Sequence, residues 1–310
     1  MEKNVVIYWC EFRGKKSDLL SFLGSKKKVY LDVFDEISKS ASVSLVFGKE
    51  NYLGGLKFKN YYRYENGQFH RKNKEIRADA VLDRSRSLNF PRRSKSTNAK
   101  VLNQLDFKRL VGDKWLFYKN FQKYSPKTYL CPNGFFLGRV LSNFNDNERV
   151  VVKPRFGLKG QNIVIGSKDE IKKSKIKYPV VIQEFSETKD TFIKDNRSDI
   201  RVVIIDGAPV YALVRTPKKG SLLANVAQGG CIDQVNLDDL PVDLLKTAKK
   251  IAIQIKRDYN NPFYSIDFGI TKDRFVIFEM NNFIGFPLIT RNHQKFVDAL
   301  ARVLLDKANL

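Results

Sequence analysis

At 310 residues, with 43% apolar and 12% aromatic side chains, the chain can bury a sizeable core and is expected to hold two or three small domains. Three widely spaced cysteines (Cys10, Cys131, Cys231) and two histidines (His70, His293), with no CxxC and no Cys/His cluster, argue against zinc, iron–sulfur and disulfide frameworks and against Ser-His or Cys-His catalysis. The net charge of +23 is the compositional anomaly: it suits nucleic acid, an anionic membrane, an acidic peptide or nucleotide phosphates, or else a lysine-rich surface that is merely solvated.

No apolar run approaches transmembrane length, and MEKNVVIYWCEF is charged too quickly for a secretory signal, so a cytoplasmic protein is expected. Asn4–Trp9 and Ser42–Phe47 read as strands, with a short helix expected over Ser17–Leu23, Ser17 at its cap. Leu56–Tyr64 and the run from Phe69 read as a hairpin across Glu65-Asn66-Gly67-Gln68, because Asn-Gly is the preferred two-residue turn. Ala78–Leu82 is a further strand before the basic loop Arg84–Lys95. Gly54-Gly55 is not a phosphate loop, since no GxGxxG or Walker-type run occurs in this first part. Helices are expected over Asn98–Leu110 and Asp113–Tyr124, the second capped by Asp113 and ended by Ser125-Pro126. A composition shift near Val111–Asp113 places the first domain boundary at residue 111.

Arg149–Lys153 reads as a strand, followed by a loop holding Gly157 and Gly160 and by a second strand, Asn162–Ile165. Such a unit lets backbone N–H groups approach a phosphate, with the Lys153 ammonium at its mouth; glycines that only satisfy a turn are the alternative. Tyr178–Phe185 is a strand ending in Gln183-Glu184-Phe185, and the polar stretch after it reads as a hinge or mobile loop. Ile200–Ile205 and Val210–Val214 pair across Asp206-Gly207 and carry Asp199, Arg201 and Arg215 at their ends. Pro217–Gly230 is turn-rich and lacks strand period. Asp239–Lys256 is an amphipathic helix with Leu244, Leu245, Ala248, Ile251, Ala252 and Ile255 on one side, and a last helix lies near His293–Leu305.

Between these two helices, Phe263–Ile270 and Phe275–Met280 read as a β-hairpin. Strand side chains alternate, so Glu279 and Asn281 share a face. Asp267 lies directly opposite Glu279 if the turn holds an odd number of residues, such as Lys272-Asp273-Arg274. Three oxygen-bearing side chains on one patch suit a hard cation such as Mg²⁺; the alternative is solvated acids near strand ends.

From about Asp113 to the C-terminus, the order of these motifs resembles the ATP-grasp superfamily, and within it the RimK-like carboxylate–amine ligases; it is also similar to glutathione synthetase. The resemblance implies an α/β (α+β) ATP-grasp fold. It divides the chain into an N-terminal pre-ATP-grasp domain (1–111), a lid subdomain (112–186) and a C-terminal subdomain with the metal site (187–310). It implies that Lys114 and Lys153 reach ATP phosphates, that Gly157 and Gly160 lie in the lid, and that Gln183, Glu184 and Phe185 hold adenine. Asp199 matches the acidic position near the nucleotide, Asn225 the asparagine before paired glycines, and Asp267, Glu279 and Asn281 the ligands of two Mg²⁺ ions, with Mn²⁺ as the substitute. The chain departs from the pattern at Asn162, where a glycine is common, at Leu223, where a nucleotide-contacting arginine is frequent, and at Asn282-Phe283-Ile284-Gly285, near the acceptor.

The implied chemistry needs positioning and positive charge rather than a nucleophilic side chain. ATP would activate a carboxylate as an acylphosphate for attack by an amine, with Arg201 and Arg215 stabilising the transferred phosphoryl group and the tetrahedral intermediate. The substrates are expected to be small molecules, peptides or a protein tail, with an acidic one favoured by the charge. Membrane partners are not expected; an oligomer is compatible with the pattern. Two alternatives stand beside this reading: a nucleic-acid-binding protein that keeps the fold, and a kinase without an amine acceptor.

Overall fold

In the computed structural model, Asn4–Trp9 (β1) lies at the centre of the first sheet. Residues 2–11, 18–85, 99–157, 161–188, 198–218, 230–260, 262–272, 274–284, 286 and 292–310 are described. Successive side chains of β1 go to opposite cores: Val5, Ile7 and Trp9 to one, Val6 and Tyr8 to the other. A strand buried on both faces suits parallel neighbours. Ser42–Phe47 (β2) pairs with β1 in parallel. Tyr52–Gly54 (β3), Lys57–Glu65 (β4) and Gln68–Arg77 (β5) form an antiparallel ribbon joined to β2 through β4. Ala80–Asp83 (β6) and Val101–Leu102 (β7) extend the other side in parallel. Asn66 (φ 49°) and Gly67 (φ 76°) give the expected turn between β4 and β5 the two positive φ angles it requires.

The short helix expected at Ser17–Leu23 is replaced among the described residues by a 3₁₀ segment, Ser21–Lys26, leading into an α-helix, Lys27–Ser38 (α1). Val29, Tyr30, Val33, Phe34 and Ile37 supply the buried stripe that holds α1 on the sheet. The helix expected from Asn98 begins only at Leu105. Val101 and Leu102 are drawn into β7 beside β6, and the helix is confined to Leu105–Gly112 (α2). Asp113 caps Lys114–Phe121 (α3) as expected, its carboxylate accepting from the N–H groups of Trp115 and Leu116.

The second sheet is antiparallel and combines Thr128–Cys131 (β8), Val150–Pro154 (β9), Val164–Gly166 (β10) and Val180–Glu184 (β11) in the order β10-β9-β11-β8. Leu137–Leu141 (α4) and Lys168–Lys173 (α5) cover its one apolar face. The third sheet holds Asp199–Ile205 (β12), Ala208–Thr216 (β13), Cys231–Val235 (β14), Tyr264–Ile270 (β15) and Phe275–Asn281 (β16), in the order β14-β13-β12-β15-β16. Val242–Tyr259 (α6), with α2 and α3, packs on one face of it. His293–Ala308 (α7) packs on the other and also against α1 and the first sheet, so one apolar core runs from β1 to β13. No helix among the described residues is long and apolar enough to cross a membrane.

Candidate active site

The face of the third sheet under α7 changes character along its strands. Val203 and Ile205 of β12 and Tyr211 of β13 sit in the apolar core. One step further along the same face, Arg201 pairs with Asp267, and beyond it Asp199 pairs with Arg215. Alternation therefore places Asp199, Arg201, Arg215 and Asp267 on one surface, ionic where α7 no longer covers it.

The hairpin β15–β16 completes this surface. Asp267 lies opposite Glu279 and Ser265 opposite Asn281, as the alternation requires. The expected three-residue turn is absent. Ile270 pairs with Phe275, which leaves the even loop 271–274, and the register is restored by a bulge between Asp267 and Phe268 that opposes Ile277 to Phe268 and leaves Phe278 as the extra residue. The Phe278 ring lies under the Lys153 ammonium, 5.7 Å from its centroid.

Asp267 is the hub. Arg201 donates to it twice, Nε to Oδ1 at 2.8 Å and Nη2 to Oδ2 at 2.7 Å. Arg215 Nη2 reaches the same Oδ2 at 2.8 Å while its Nε and Nη2 clamp Asp199 at 2.5 and 2.6 Å. Burial opposes the charge on Asp267, but the two guanidiniums hold its carboxyl at about 2. Among the described residues Asp199 is hydrogen-bonded to Arg215, and burial together with the Asp267 charge pushes it up to about 6 against the pull of Arg215 and Arg201. Asn281 Nδ2 donates to Asp267 Oδ2 at 3.1 Å and to Glu279 Oε1 at 3.2 Å, so the three expected ligands meet at one point.

Lys153 and Gln183 occupy the face of the second sheet opposite its own core, and Lys153 Nζ donates to Gln183 Oε1 at 2.6 Å. Burial brings the Lys153 ammonium down to about 8, helped by Lys114 and opposed by Glu279 and Asp267. Lys114 opens α3 and donates to the Gly157 carbonyl at 2.8 Å; burial lowers its pKa against the pull of Glu279. Asp113 also clamps Arg155 through Nε (2.9 Å) and Nη2 (2.6 Å), fixing α3 against the start of the glycine loop. In the expected adenine segment, the N–H groups of Glu184 and Phe185 already donate to the carbonyls of Lys127 and Arg149. A base would meet this stretch through carbonyl oxygens or beyond Phe185.

Gly160, Asn225, Leu223 and most of the expected hinge after Phe185 lie outside the described residues. Asn162, which stands where a glycine is common, has φ 55°, a left-handed angle that asparagine tolerates. Sequence reasoning missed Arg155, whose partner is 42 residues away, and the contact of Phe278 with Lys153, which only the bulge produces.

Among the described residues, no three His, Cys, Asp or Glu side chains form a metal cluster. The residue types nonetheless fit Mg²⁺: Asn281 joins the Asp267 and Glu279 carboxylates by one hydrogen bond each, and among the described residues Glu279 carries no guanidinium, whereas both Asp267 oxygens already accept from Arg201 or Arg215. Turning the Asn281 amide presents its oxygen where its nitrogen now bridges the acids.

Residues 114–259 match the family model of the ATP-grasp domain of prokaryotic glutathione synthetase. A glutathione synthetase of Prochlorococcus marinus is 33% identical over 100 residues, 29% of this chain, and the match spans only 30% of that enzyme's length. An uncharacterized protein of Mycoplasma genitalium is 24% identical over 265 residues, covering 84% of this chain and 85% of that protein. Among solved structures, D-alanyl-alanine synthetase A of Vibrio cholerae superposes with a TM-score of 0.65 at 11% identity, covering 100% of this chain and 99% of that one.

Proposed function

We propose that the chain belongs to the ATP-grasp superfamily and is an ATP- and Mg²⁺-dependent ligase that activates a carboxylate as an acylphosphate and joins it to an amine. The observation that carries this reading is the meeting of Asp267, Glu279 and Asn281 on the sheet face that also holds Arg201 and Arg215. Asp267, Glu279 and Asn281 would hold Mg²⁺, which would supply positive charge against the phosphates; two ions are proposed, with Mn²⁺ as the substitute. Lys114 and Lys153 bring ammonium groups toward the phosphates from α3 and the second sheet. Arg201 and Arg215, oriented by Asp267 and Asp199, face the transferred group. The substrate carboxylate attacks the γ-phosphorus and ADP departs; the amine nitrogen then attacks the acyl carbon, the C–O bond to phosphate breaks, the amine gives up a proton to the departing phosphate or solvent, and an amide remains.

The reading includes the division at residues 111 and 186, Gly157, Gly160 and Asn225 at the nucleotide, the segment Gln183–Phe185 at adenine, and a cytoplasmic setting. The test is ADP release from ATP in the presence of pooled amino acids and acidic peptides. Release should require both an acid and an amine and fall at least about 100-fold in Glu279→Ala, since lost transition-state charge stabilisation costs rates of this order. ADP formed with an acid alone, yielding a stable phosphorylated product, would instead mark a kinase. Activity unchanged in Glu279→Ala removes the hairpin from the mechanism.

A further inference from the structure

A single buried side chain touches both strands of the hairpin that carries Glu279 and Asn281, at its open end. Asn103 follows β7 in the first sheet and is 4% exposed. Its Nδ2 donates to the Phe263 carbonyl at 2.6 Å and to the Asn282 carbonyl at 3.1 Å, and its Oδ1 accepts from the Phe263 N–H at 2.6 Å. Phe263 immediately precedes β15 and Asn282 immediately follows β16. The far end of the hairpin is closed by the loop 271–274, but the end bearing Asn281 has no chain connection to close it. Two amide protons aimed at two carbonyls fix their separation, and both donors of Asn103 are used in doing so. Next to it, Arg84, which follows β6, donates from Nη2 to the Ile284 carbonyl at 2.7 Å and stacks over Phe283. The carboxyl ends of two neighbouring strands of the first sheet thus grip the chain just beyond Asn281.

We infer that Asn103 is a positioning residue: from the first sheet it sets the open end of the β15–β16 hairpin, and with it the places of Glu279 and Asn281 toward Mg²⁺-nucleotide. Its effect on the ion rests on the proposed reading of that hairpin; its hold on the hairpin does not. Outer groups that orient metal ligands are worth about 10–100-fold in metal affinity.

Asn103→Asp separates this role from simple filling of space. The side chain keeps its size and its acceptor for the Phe263 N–H, but an oxygen replaces the donor facing two carbonyls. At about pH 8 the Mg²⁺ concentration that half-saturates ADP binding, read by calorimetry, should rise about 10-fold or more, while ADP affinity in EDTA stays unchanged. Near pH 6 the buried acid, its pKa raised by burial and the two carbonyls, regains one donor, and the gap to the parent should narrow. Amide exchange at residues 279–282 should quicken while β12 and β13 keep their protection. Asn103→Ser, which adds no charge, should give the same Mg²⁺ shift without the pH rescue and serves if the aspartate variant does not fold. A parent-like Mg²⁺ titration in both variants, or exchange that quickens uniformly over the third sheet, overturns the inference. If the parent itself shows no Mg²⁺-linked ADP binding, the proposed function falls, and the exchange pattern alone decides whether Asn103 holds the hairpin.

Discussion

Asp267 and Glu279 stand opposite each other in one register, yet they belong to different balances. Asp267 is 1% exposed and neutralises two guanidiniums, so Asp267→Asn leaves buried positive charge without its partner. Such a break costs about 3–5 kcal/mol. Glu279 accepts one amide bond and has no cation within ion-pair distance among the described residues, so Glu279→Gln should cost under about 1 kcal/mol. Urea midpoints of the two variants check this, and equal losses would mean that Glu279 is structural too. Lys307 offers a second residue-scale test, remote from the site. It is 2% exposed and, among the described residues, donates only to the carbonyls of Ala99 and Asn260. Burial brings it down to about 8 from 10.5, with Asp206 opposing. Between these values the unfolded chain holds the extra proton, so stability rises with pH across the window and the full cost is present below it. The shift corresponds to about 3 kcal/mol. Lys307→Met should flatten the rise in melting temperature between pH 7 and 10 relative to the parent; identical profiles would place the titration elsewhere.

At the scale of elements, what could be read in advance was what local pattern controls. The turns at Asn66-Gly67 and Asp206-Gly207 take positive φ at both residues, as their side chains demand. The shared face of Glu279 and Asn281 follows from alternation alone. The turn between their strands did not follow, because the bulge at Phe278 restores the pairing that an even loop would have lost. α1 was invisible at its start, where Lys26 offers no side-chain cap, and β7 was too short to show period. Asn103 could not be found at all, since its partners are 160 and 179 residues away. Asp113 is legible as a cap, but its clamp on Arg155, 42 residues away, is not. Asp113→Ala should lose about 1–2 kcal/mol for the cap and more for the stranded Arg155, whereas Asp113→Asn keeps a capping oxygen and should lose less. Urea denaturation of the pair measures the difference, and equal losses would assign all of it to Arg155.

For the whole molecule, the charge of +23 is placed in part along one sheet edge. Part of it lies on β5, the free edge of the first sheet, where exposed Arg71, Lys74 and Arg77 discourage strand addition. The apolar interior says more about how the chain holds together. The core under α7 joins Val5 and Leu45 of the first sheet to Val203 and Tyr211 of the third, whereas the second sheet has its own core around Val152, Ile182 and Ile171. Shared apolar contact makes two elements melt together, and a separate core lets one open alone. The first and third sheets should therefore unfold in one transition despite lying at opposite ends of the sequence, with the second sheet apart. Leu304→Ala, in the middle of α7 and 0% exposed, should cost about 2–5 kcal/mol and lower the melting of both outer sheets equally. Ile182→Ala, also 0% exposed, should destabilise the second sheet alone. Amide exchange resolved by segment, read for both variants, tests the scheme. Loss of protection in the third sheet without loss in the first, on replacing Leu304, would show that α7 does not couple them. The hold of the first sheet on the hairpin would then have to come from Asn103 and Arg84 alone.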